Sequence, residues 1–266
     1  MGRSRKSERE TETALLICGD DPAGIARRIA GLAEIATYRL VRRPTIRLRD
    51  WYLDTPDGLL RKQHLALRLR QSDQDWLITF KGPPRPVAGG GTERLEVEEP
   101  WSRAALRRIT RELDGRNVPV RAVRFDALAR PLTVMKGLGL SVVQGRETRR
   151  TVRDVAREGQ TRAQLAELVI DSVVYRFGSE RLKLHMIEVE AKSRDGLQAL
   201  GAIDRDLNKM FKPALRPWPY GKLATGLAVE KLLRQGALEG LIDRDRHLSP
   251  TVFSKLARYL RRSDAG

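Results

Sequence analysis

The stretch Leu65–Lys81, LALRLRQSDQDWLITFK, predicts a β-hairpin that carries three cations on one face. In its first half, leucines alternate with residues that include Arg68 and Arg70, so a strand would point the leucines to one side and both arginines to the other. After a polar turn, bulky apolar residues again alternate with residues that include Lys81. Because the apolar face must be buried, the basic face either meets solvent or lines a cavity.

The composition of the chain indicates an anionic partner. The 266 residues include 51 Lys and Arg against 34 Asp and Glu, which leaves a formal net charge of +17. Such a charge attracts nucleotides, polyphosphate or nucleic acid without choosing among them. Nucleic acid is the weakest of these, because aromatic residues make up only 5% of the chain and no reader motif is present.

Cysteine content and hydropathy indicate the compartment. The single cysteine, Cys18, excludes an intramolecular disulfide, fits a reducing compartment and is predicted to be structural. No apolar run approaches the roughly 18 residues that a spanning helix needs, and no signal segment is present. We expect a cytoplasmic protein with no membrane partner.

Alternation and turn residues predict the remaining elements. Strands are expected at residues 10–18, 45–55, 92–98, 142–155, 164–175 and 181–192. Helices are expected at residues 23–36, 101–113, 119–128, 195–211, 222–235 and 249–262. The Gly- and Pro-rich segment 82–91 is predicted to be a flexible connector, since it lacks the Gly-Lys-Ser/Thr ending of a phosphate-binding loop.

Four predicted strands carry a like-charged pair two residues apart. Any one pair fits a solvated sheet face. However, like charges about 7 Å apart repel, and four such pairs on strands whose opposite face is apolar indicate a ligand between the charged side chains. A closed barrel would point these side chains into its interior. Carboxylates there could chelate Mg²⁺ or Mn²⁺, and the cations could hold phosphate oxygens, which predicts a metal-dependent phosphoryl site. The pairs are Glu10/Glu12, Arg68/Arg70, Glu96/Glu98 and Glu188/Glu190.

A series of motifs, in order along residues 8 to 230, resembles the CYTH superfamily, the triphosphate tunnel metalloenzymes. The resemblance implies an α+β fold, an eight-stranded antiparallel β-barrel with helices packed outside, which binds a triphosphate and cleaves a phosphoanhydride bond with Mg²⁺ or Mn²⁺. The motifs are Glu10-Thr-Glu, Tyr52-Leu-Asp-Thr-Pro-Asp, Leu65-Ala-Leu-Arg-Leu-Arg, Leu77-Ile-Thr-Phe-Lys-Gly, Arg94-Leu-Glu-Val-Glu, Thr148-Arg-Arg, Asp171, Glu188-Val-Glu-Ala-Lys and Gly221-Lys222.

The resemblance also implies roles for individual residues. Those on the metal side are Glu10, Glu12, Asp171, Glu188 and Glu190. Those expected to bind phosphate oxygens are Arg68, Arg70, Lys81, Lys222 and one of Arg149 and Arg150, the choice depending on strand register. Those expected to take part in catalysis are Glu10, Glu12, Arg68, Arg70 and Lys81. Further barrel-interior residues, whose role is less defined, are Arg94, Glu96 and Glu98.

One position departs from the family pattern. The first motif of the family is Glu-x-Glu-x-Lys, whereas the inward position after Glu12 is Ala14. The loss of a cation is expected to weaken phosphate binding or water positioning. Lys192, two residues beyond Glu190 on the same predicted face, is a candidate replacement for phosphate binding.

The expected activity is hydrolysis of inorganic triphosphate or a short polyphosphate. The alternatives are a thiamine or nucleoside triphosphatase, a class IV-type adenylate cyclase, and a non-catalytic polyphosphate-binding module. The tunnel domain is expected at residues 8–235, with a basic helical tail at 236–266 that is either solvated or bound to a partner. His64, His185 and His247 are dispersed along the chain, which gives little support for a zinc site.

Overall fold

A computed structural model describes residues 9–87, 91–126, 128–157 and 164–264. The strands form a closed eight-stranded antiparallel β-barrel with helices outside it, which confirms the predicted fold class. The helices are α1 (Pro22–Gly31), α2 (Leu59–Lys62), α3 (Arg103–Asp114), α4 (Pro131–Gly137), α5 (Gly196–Phe211), α6 (Lys222–Arg234) and α7 (Val252–Asp264). None of the described helices is long and apolar enough to span a bilayer.

The strands follow one another in the sheet in the order β10-β11-β1-β8-β6-β5-β4-β9, and β9 also pairs with β10. The bounds of the strands are β1 (Arg9–Ile17), β2 (Glu34–Ile35), β3 (Tyr38–Arg42), β4 (Ile46–Asp54), β5 (Ala66–Ser72), β6 (Asp75–Lys81), β7 (Arg85–Pro86), β8 (Thr92–Pro100), β9 (Ser141–Arg157), β10 (Ala166–Phe177), β11 (Glu180–Ala191) and β12 (Leu215–Pro217).

The chain divides into two compact units. The first comprises the described residues of Met1–Glu10, Leu48–Arg85 and Glu93–Arg146. The second comprises the described residues of Thr11–Arg47, Pro86–Thr92 and Glu147–Gly266.

The first unit is built on the predicted hairpin. β5 and β6 pair in antiparallel register with Arg68 opposite Thr79 and Ala66 opposite Lys81. Their apolar face, with Leu67 and Phe80 fully buried, packs against α3 in the core of this unit. The opposite face therefore carries the cations, because side chains alternate along a strand.

The second unit is organised around β1, β11 and β10, which pair antiparallel in that order. One face of these strands, including Leu15 and Ile187, packs against α1 and α5. Helices α6 and α7 lie in a second core with residues such as Leu16 and Leu184. The apolar stripe of α7 is buried there, so the described residues beyond 236 are packed into the core of this unit.

The Tyr-Leu-Asp-Thr-Pro-Asp motif ends β4 and begins α2. Both carboxylate oxygens of Asp54 accept backbone hydrogen bonds, from Thr55 and Leu60 at 2.8 Å and from Arg61 at 3.1 Å. Two backbone N–H groups at the start of α2 and one in the preceding turn are thereby satisfied. Asp54 thus fixes the turn that leads from β4 towards the hairpin.

Two helix predictions are wrong at particular positions. No helix occupies the described residues of 119–128, because Val120, Val123 and Phe125 pack onto the core of the first unit from an irregular chain. The helix expected at 23–36 ends at Gly31, and Ala36, at φ 51°, turns the chain from β2 into β3. In the predicted connector 82–91, Arg85–Pro86 form a short strand, and residues 88–90 lie outside the described part.

Candidate active site

In the first unit, Asp50 binds three arginines that converge on it from β5 and β9. Arg70 donates to both carboxylate oxygens, at 2.7 and 3.0 Å, and Arg146 donates to Oδ2 at 2.9 and 3.1 Å. Arg68 Nη1 lies 3.9 Å from the same oxygen. Burial alone would raise the pKa of Asp50, but the charges of Arg68, Arg70 and Arg146 bring that pKa well below its ordinary value.

Arg68 is further positioned by its neighbours across the sheet. Its Nη2 donates to Thr79 Oγ1 at 3.1 Å and to Glu98 Oε2 at 3.0 Å, and Thr79 Oγ1 donates to the same Glu98 oxygen at 3.0 Å. The buried Nε–H of Arg68 has no hydrogen-bond acceptor among the described residues. An unsatisfied buried donor is costly, so this guanidinium is suited to bind an added oxygen ligand.

A second group in the first unit contains two carboxylates with opposite pKa shifts. Lys81 Nζ lies 2.7 Å from Glu10 Oε2 and 3.4 Å from Glu96 Oε1, and Arg94 Nε donates to Glu10 Oε2 at 3.3 Å. Burial opposes ionisation of Glu10, but Lys81 and Arg94 lower its pKa. Burial, together with the charges of Glu10 and Glu98, raises the pKa of Glu96. Of the two carboxyl groups, Glu10 therefore ionises more readily, and Glu96 more readily keeps a proton.

A cavity of about 460 Å³ in the first unit adjoins this group through Arg94. Its charged lining consists of Arg9, Arg85, Arg94, Arg116 and one carboxylate, Glu93. Arg9 is bonded to Glu93 at 2.5 Å. No aromatic side chain lines the cavity within the part of the chain that the structure describes. The space is therefore suited to an anion without a ring.

In the second unit, Asp171 and Glu188 hold two cations. Arg150 donates from Nε and Nη2 to the two oxygens of Asp171, at 2.9 and 2.6 Å, and lies 3.5 Å from Glu188 Oε2. Lys222 Nζ contacts Glu188 Oε1 and lies 3.2 Å from Asp171 Oδ2. Burial would raise the pKa of Asp171, but Arg150 and then Lys222 lower it. Burial likewise opposes ionisation of Glu188, and Lys222 lowers its pKa.

Next to this group lies a row of three carboxylates across β1, β11 and β10. Glu12 is opposite Glu190 in the sheet, and Glu190 is opposite Glu167. Lys192 Nζ lies 3.2 Å from Glu167 Oε2 and contacts Glu190 Oε1. Carboxylates directly opposite one another repel, so a cation in this row stabilises it.

The carboxylate row suits a hard divalent cation in its chemistry. Mg²⁺ and Mn²⁺ take oxygen ligands, which are the atoms that Glu12 and Glu190 of this row present together with the neighbouring Glu188. In the described residues, no group of three or more acidic, histidine or cysteine side chains already has the spacing of a metal site. The residues thus fit the cation by donor type.

The structure distributes the sequence-predicted residues over both units. Glu10, Arg68, Arg70, Lys81, Arg94, Glu96 and Glu98 lie in the two groups of the first unit, and Glu12, Arg150, Asp171, Glu188, Glu190, Lys192 and Lys222 lie in those of the second. Of the two register alternatives, Arg150 binds Asp171, whereas Arg149 is exposed on the other face of β9. Ala14 lies opposite Glu188.

Sequence reasoning missed Asp50, Arg146 and Glu167 as site residues. Asp50 shares the inward face of β4 with Tyr52, which was a usable signal, because Tyr52 is part of the recognised motif. Arg146 donates to Tyr52 Oη at 2.7 Å and lies over its ring, with the guanidinium carbon 4.7 Å from the centroid. Burial opposes ionisation of Tyr52, whereas Arg146 lowers its pKa. Glu167 shares the alternation of Asp171, and that alternation was its signal.

Residues 25–212 match the family model of the CYTH domain. One similar solved structure is that of HpAC1 from Hippeastrum, which is assigned as an adenylyl cyclase and described as having a dominant triphosphatase activity. Its sequence is 16% identical to this chain, the alignment covers 83% of this chain and 96% of that chain, and the TM-score is 0.50. A protein from Bacillus halodurans assigned as an adenylate cyclase is 17% identical, with 82% and 97% covered and a TM-score of 0.45. The Pct1 RNA triphosphatase of S. pombe is 8% identical, with 88% and 84% covered and a TM-score of 0.35. No curated protein matches this chain significantly.

Proposed function

Because this chain belongs to the CYTH family, with the family domain matched over residues 25–212, we propose that it hydrolyses a phosphoanhydride bond of inorganic triphosphate or a short polyphosphate. The observation that carries the proposal is a set of buried and half-buried cations held in fixed positions by carboxylates. Arg150 between Asp171 and Glu188 is the clearest example, with one bidentate pair and one longer contact. Fixed guanidinium and ammonium groups neutralise phosphate oxygens without reorganising during the reaction.

In the second unit, Arg150 and Lys222 are assigned to phosphate binding, and Glu12, Glu188 and Glu190 to a divalent cation. Asp171 is assigned to positioning, because both of its oxygens accept hydrogen bonds from Arg150. When bound, Mg²⁺ or Mn²⁺ would polarise the scissile phosphoryl group. The side chains themselves mainly neutralise and orient the anion, which is the dominant protein contribution in phosphoryl transfer.

In the first unit, Arg68 and Lys81 are assigned to phosphate binding. Glu10 and Glu98 orient these cations through contacts of 2.7 and 3.0 Å. Asp50 balances the charge of Arg70 and Arg146, so that three arginines can lie close together. Each assigned cation thus has a carboxylate that fixes its position.

An inorganic anion is favoured over a nucleotide by the cavity of about 460 Å³ in the first unit. Its lining has four arginines, and the described residues around it place no aromatic ring there. A nucleobase or a thiazolium ring would gain from stacking on an aromatic surface, which these residues do not supply, whereas additional phosphates need only cations.

Phosphate release tests the proposal. The purified protein with Mg²⁺ or Mn²⁺ is assayed on triphosphate, ATP, thiamine triphosphate and long polyphosphate, and triphosphate is expected to give the highest kcat/KM. Arg68→Ala and Glu190→Ala should remove the activity, whereas Arg181→Ala, at an exposed position, should not. Circular dichroism confirms that each variant is folded. Triphosphate hydrolysis that survives both site substitutions would contradict the assignment, and tight polyphosphate binding without turnover would indicate a binding module.

A further inference from the structure

A cavity of about 400 Å³ in the second unit lies between the segment Arg216–Tyr220 and helix α7. None of the residues that line it belongs to the charged groups assigned to hydrolysis. Its volume falls within the range of about 300–1,000 Å³ that is usual for small-molecule sites. The cavity therefore has room for a ligand of its own.

Helix α7 turns two different faces to this part of the unit. Val252, Phe253, Leu256 and Leu260 are buried in the core, which fixes the helix in place. Ser254, Ala257, Arg258 and Arg261 follow the spacing i, i+3, i+4 and i+7 and line the cavity. Because residues at this spacing share one side of a helix, both arginines border the same space.

Three guanidinium groups line the cavity, and no carboxylate does within the described residues. Arg216 Nη1 donates to Ser254 Oγ at 3.1 Å, which directs this arginine towards α7. Arg258 and Arg261 form no ion pair with any carboxylate of the described residues. Cations that share one concave space repel one another, so a bound anion lowers their electrostatic energy.

The wall opposite α7 is apolar and rigid. Trp218 is fully buried and donates from its indole N–H to Thr225 Oγ1 at 2.8 Å. The ring of Tyr220 meets that of Trp218 edge-on, with the centroids 5.2 Å apart. Pro217 and Pro219 flank Trp218 and restrict the backbone of this wall. A cationic side facing an apolar, partly aromatic side suits a small organic molecule that bears an anionic group.

We infer that this cavity binds the phosphate group of a small molecule through Arg216, Arg258 and Arg261. The planar fork of arginine matches phosphate oxygens, and two of these arginines lie on one rigid helix. The phosphate belongs either to an organic ester, whose ring packs on the Tyr220 side, or to an inorganic phosphate. This inference does not depend on the proposed hydrolysis.

The test compares two double variants of the full chain by isothermal titration calorimetry. AMP and pyrophosphate are titrated separately into the wild type, into Arg258→Gln/Arg261→Gln, and into Lys255→Gln/Arg262→Gln. The last variant also removes two positive charges from exposed positions of α7, but these positions lie outside the cavity lining, whereas the equally exposed Arg258 and Arg261 belong to it. The first double variant is expected to lose about tenfold or more in affinity, since two charge-assisted hydrogen bonds are removed. The control variant should stay within about threefold, as expected for long-range screened charges.

The outcomes separate the two ligand sources and the two sites. If AMP binds more tightly than pyrophosphate, and its binding is weakened only in the cavity variant, the ligand is an organic phosphate ester. If AMP and pyrophosphate bind equally tightly, and both are weakened only in the cavity variant, the ligand is inorganic phosphate. Pyrophosphate can also bind the groups assigned to hydrolysis, so the binding step that counts is the one lost in the cavity variant. Equal losses in both variants, isotherms of the cavity variant that do not differ from those of the wild type, or no binding of either compound at millimolar concentration would overturn the inference. Triphosphate hydrolysis by the cavity variant should remain at the wild-type rate, so a failure of this site is distinguishable from a failure of the proposed function.

Discussion

His185 and His247 face each other with their Nε2 atoms 3.2 Å apart, although 62 residues separate them in the chain. The rings are 5.2 Å apart between centroids, so the two nitrogens point at each other in a hydrogen bond. Ser172 Oγ lies 3.0 Å from His185 Nδ1, and Asp243 Oδ2 lies 3.4 Å from His247 Nδ1. One consistent proton arrangement has the Ser172 hydroxyl donating to His185 Nδ1 and the His185 Nε2–H donating to His247 Nε2, while the His247 backbone N–H donates to Asp243 Oδ1 at 2.8 Å.

This pair predicts a loss of stability in mild acid. The pKa of His185 is lowered to about 4, mainly by burial and next by the charges of His247 and Lys183. Two smaller contributions oppose each other, since Asp21 raises this pKa and Arg27 lowers it. An unfolded histidine has a pKa near 6.5, so the unfolded chain binds this proton first. The stabilisation is fully present above about pH 6.5 and is lost as the pH falls towards 4, by roughly 3 kcal/mol at most.

Urea unfolding at pH 7, 6 and 5 measures this effect. The free energy of unfolding of the wild type should decrease more steeply with falling pH than that of His185→Gln. His64→Asn is the matched control, because His64 is exposed and asparagine tolerates its positive φ of 56°. Parallel pH profiles for the wild type and His185→Gln would show that His185 does not titrate as described.

Asp50→Asn should destabilise the protein by about 3–5 kcal/mol, since it leaves the buried arginines without their shared counter-charge. Asp50 is 1% exposed and is bonded to Arg70 and Arg146. Asp57→Asn makes the same chemical change at an exposed carboxylate and should have little effect. Denaturant unfolding at pH 7 measures both variants, and equal stabilities would contradict the role given to Asp50.

Glu10→Gln and Glu96→Gln should differ although the two carboxylates share Lys81. The pKa of Glu96 is raised by burial and by Glu10 and Glu98, whereas that of Glu10 is lowered, so removing the charge of Glu96 should cost less stability than removing the charge of Glu10. Glu10 carries the charge that holds Lys81 and Arg94, so its substitution should lower the melting temperature by several degrees, equivalent to about 1–2 kcal/mol. Thermal unfolding near neutral pH is the measurement. A larger loss in Glu96→Gln than in Glu10→Gln would reverse the assignment of the charge.

Arg150→Lys should reduce kcat/KM for triphosphate by about tenfold or more, because lysine keeps the charge but loses the two-pronged contact with Asp171. Arg149→Lys, at the exposed neighbouring position, should retain wild-type activity. Steady-state phosphate release distinguishes the two. A larger defect at Arg149 would mean that the register of β9 in solution places the other arginine inward.

Ala14→Lys should lower the KM for triphosphate by a few fold, about 1 kcal/mol, since it adds a cation across from Glu188. Ala14 occupies the position where the family pattern has lysine, and Lys222 and Arg150 already contact Glu188. The comparison uses the initial rate against triphosphate concentration, with Ala14→Gln as a neutral side chain of similar reach. An equal change in both variants would assign the effect to side-chain size instead of charge.

The sequence by itself determined which side chains of each strand share a face. Alternation with a period of two is a local property and a short polar turn joins the two runs, so Arg68, Arg70 and Lys81 were placed on one face of a hairpin from the sequence alone. Helix caps and apolar stripes are also local, and α5 begins and ends as the sequence predicts. The segment 119–126 differs because its apolar residues pack on a distant core, which overrides local helical periodicity.

Tertiary structure alone decided which residues meet across long separations. Asp50 and Arg146 are 96 residues apart, and their contact depends on the folded arrangement of this unit. The same holds for His185 and His247, which the sequence shows only as dispersed histidines. The choice of Arg150 over Arg149 depended on register, since a shift of one residue exchanges the two faces of a strand. Alternation therefore fixes the face that a side chain occupies, whereas the identity of its partner is a property of the whole folded chain.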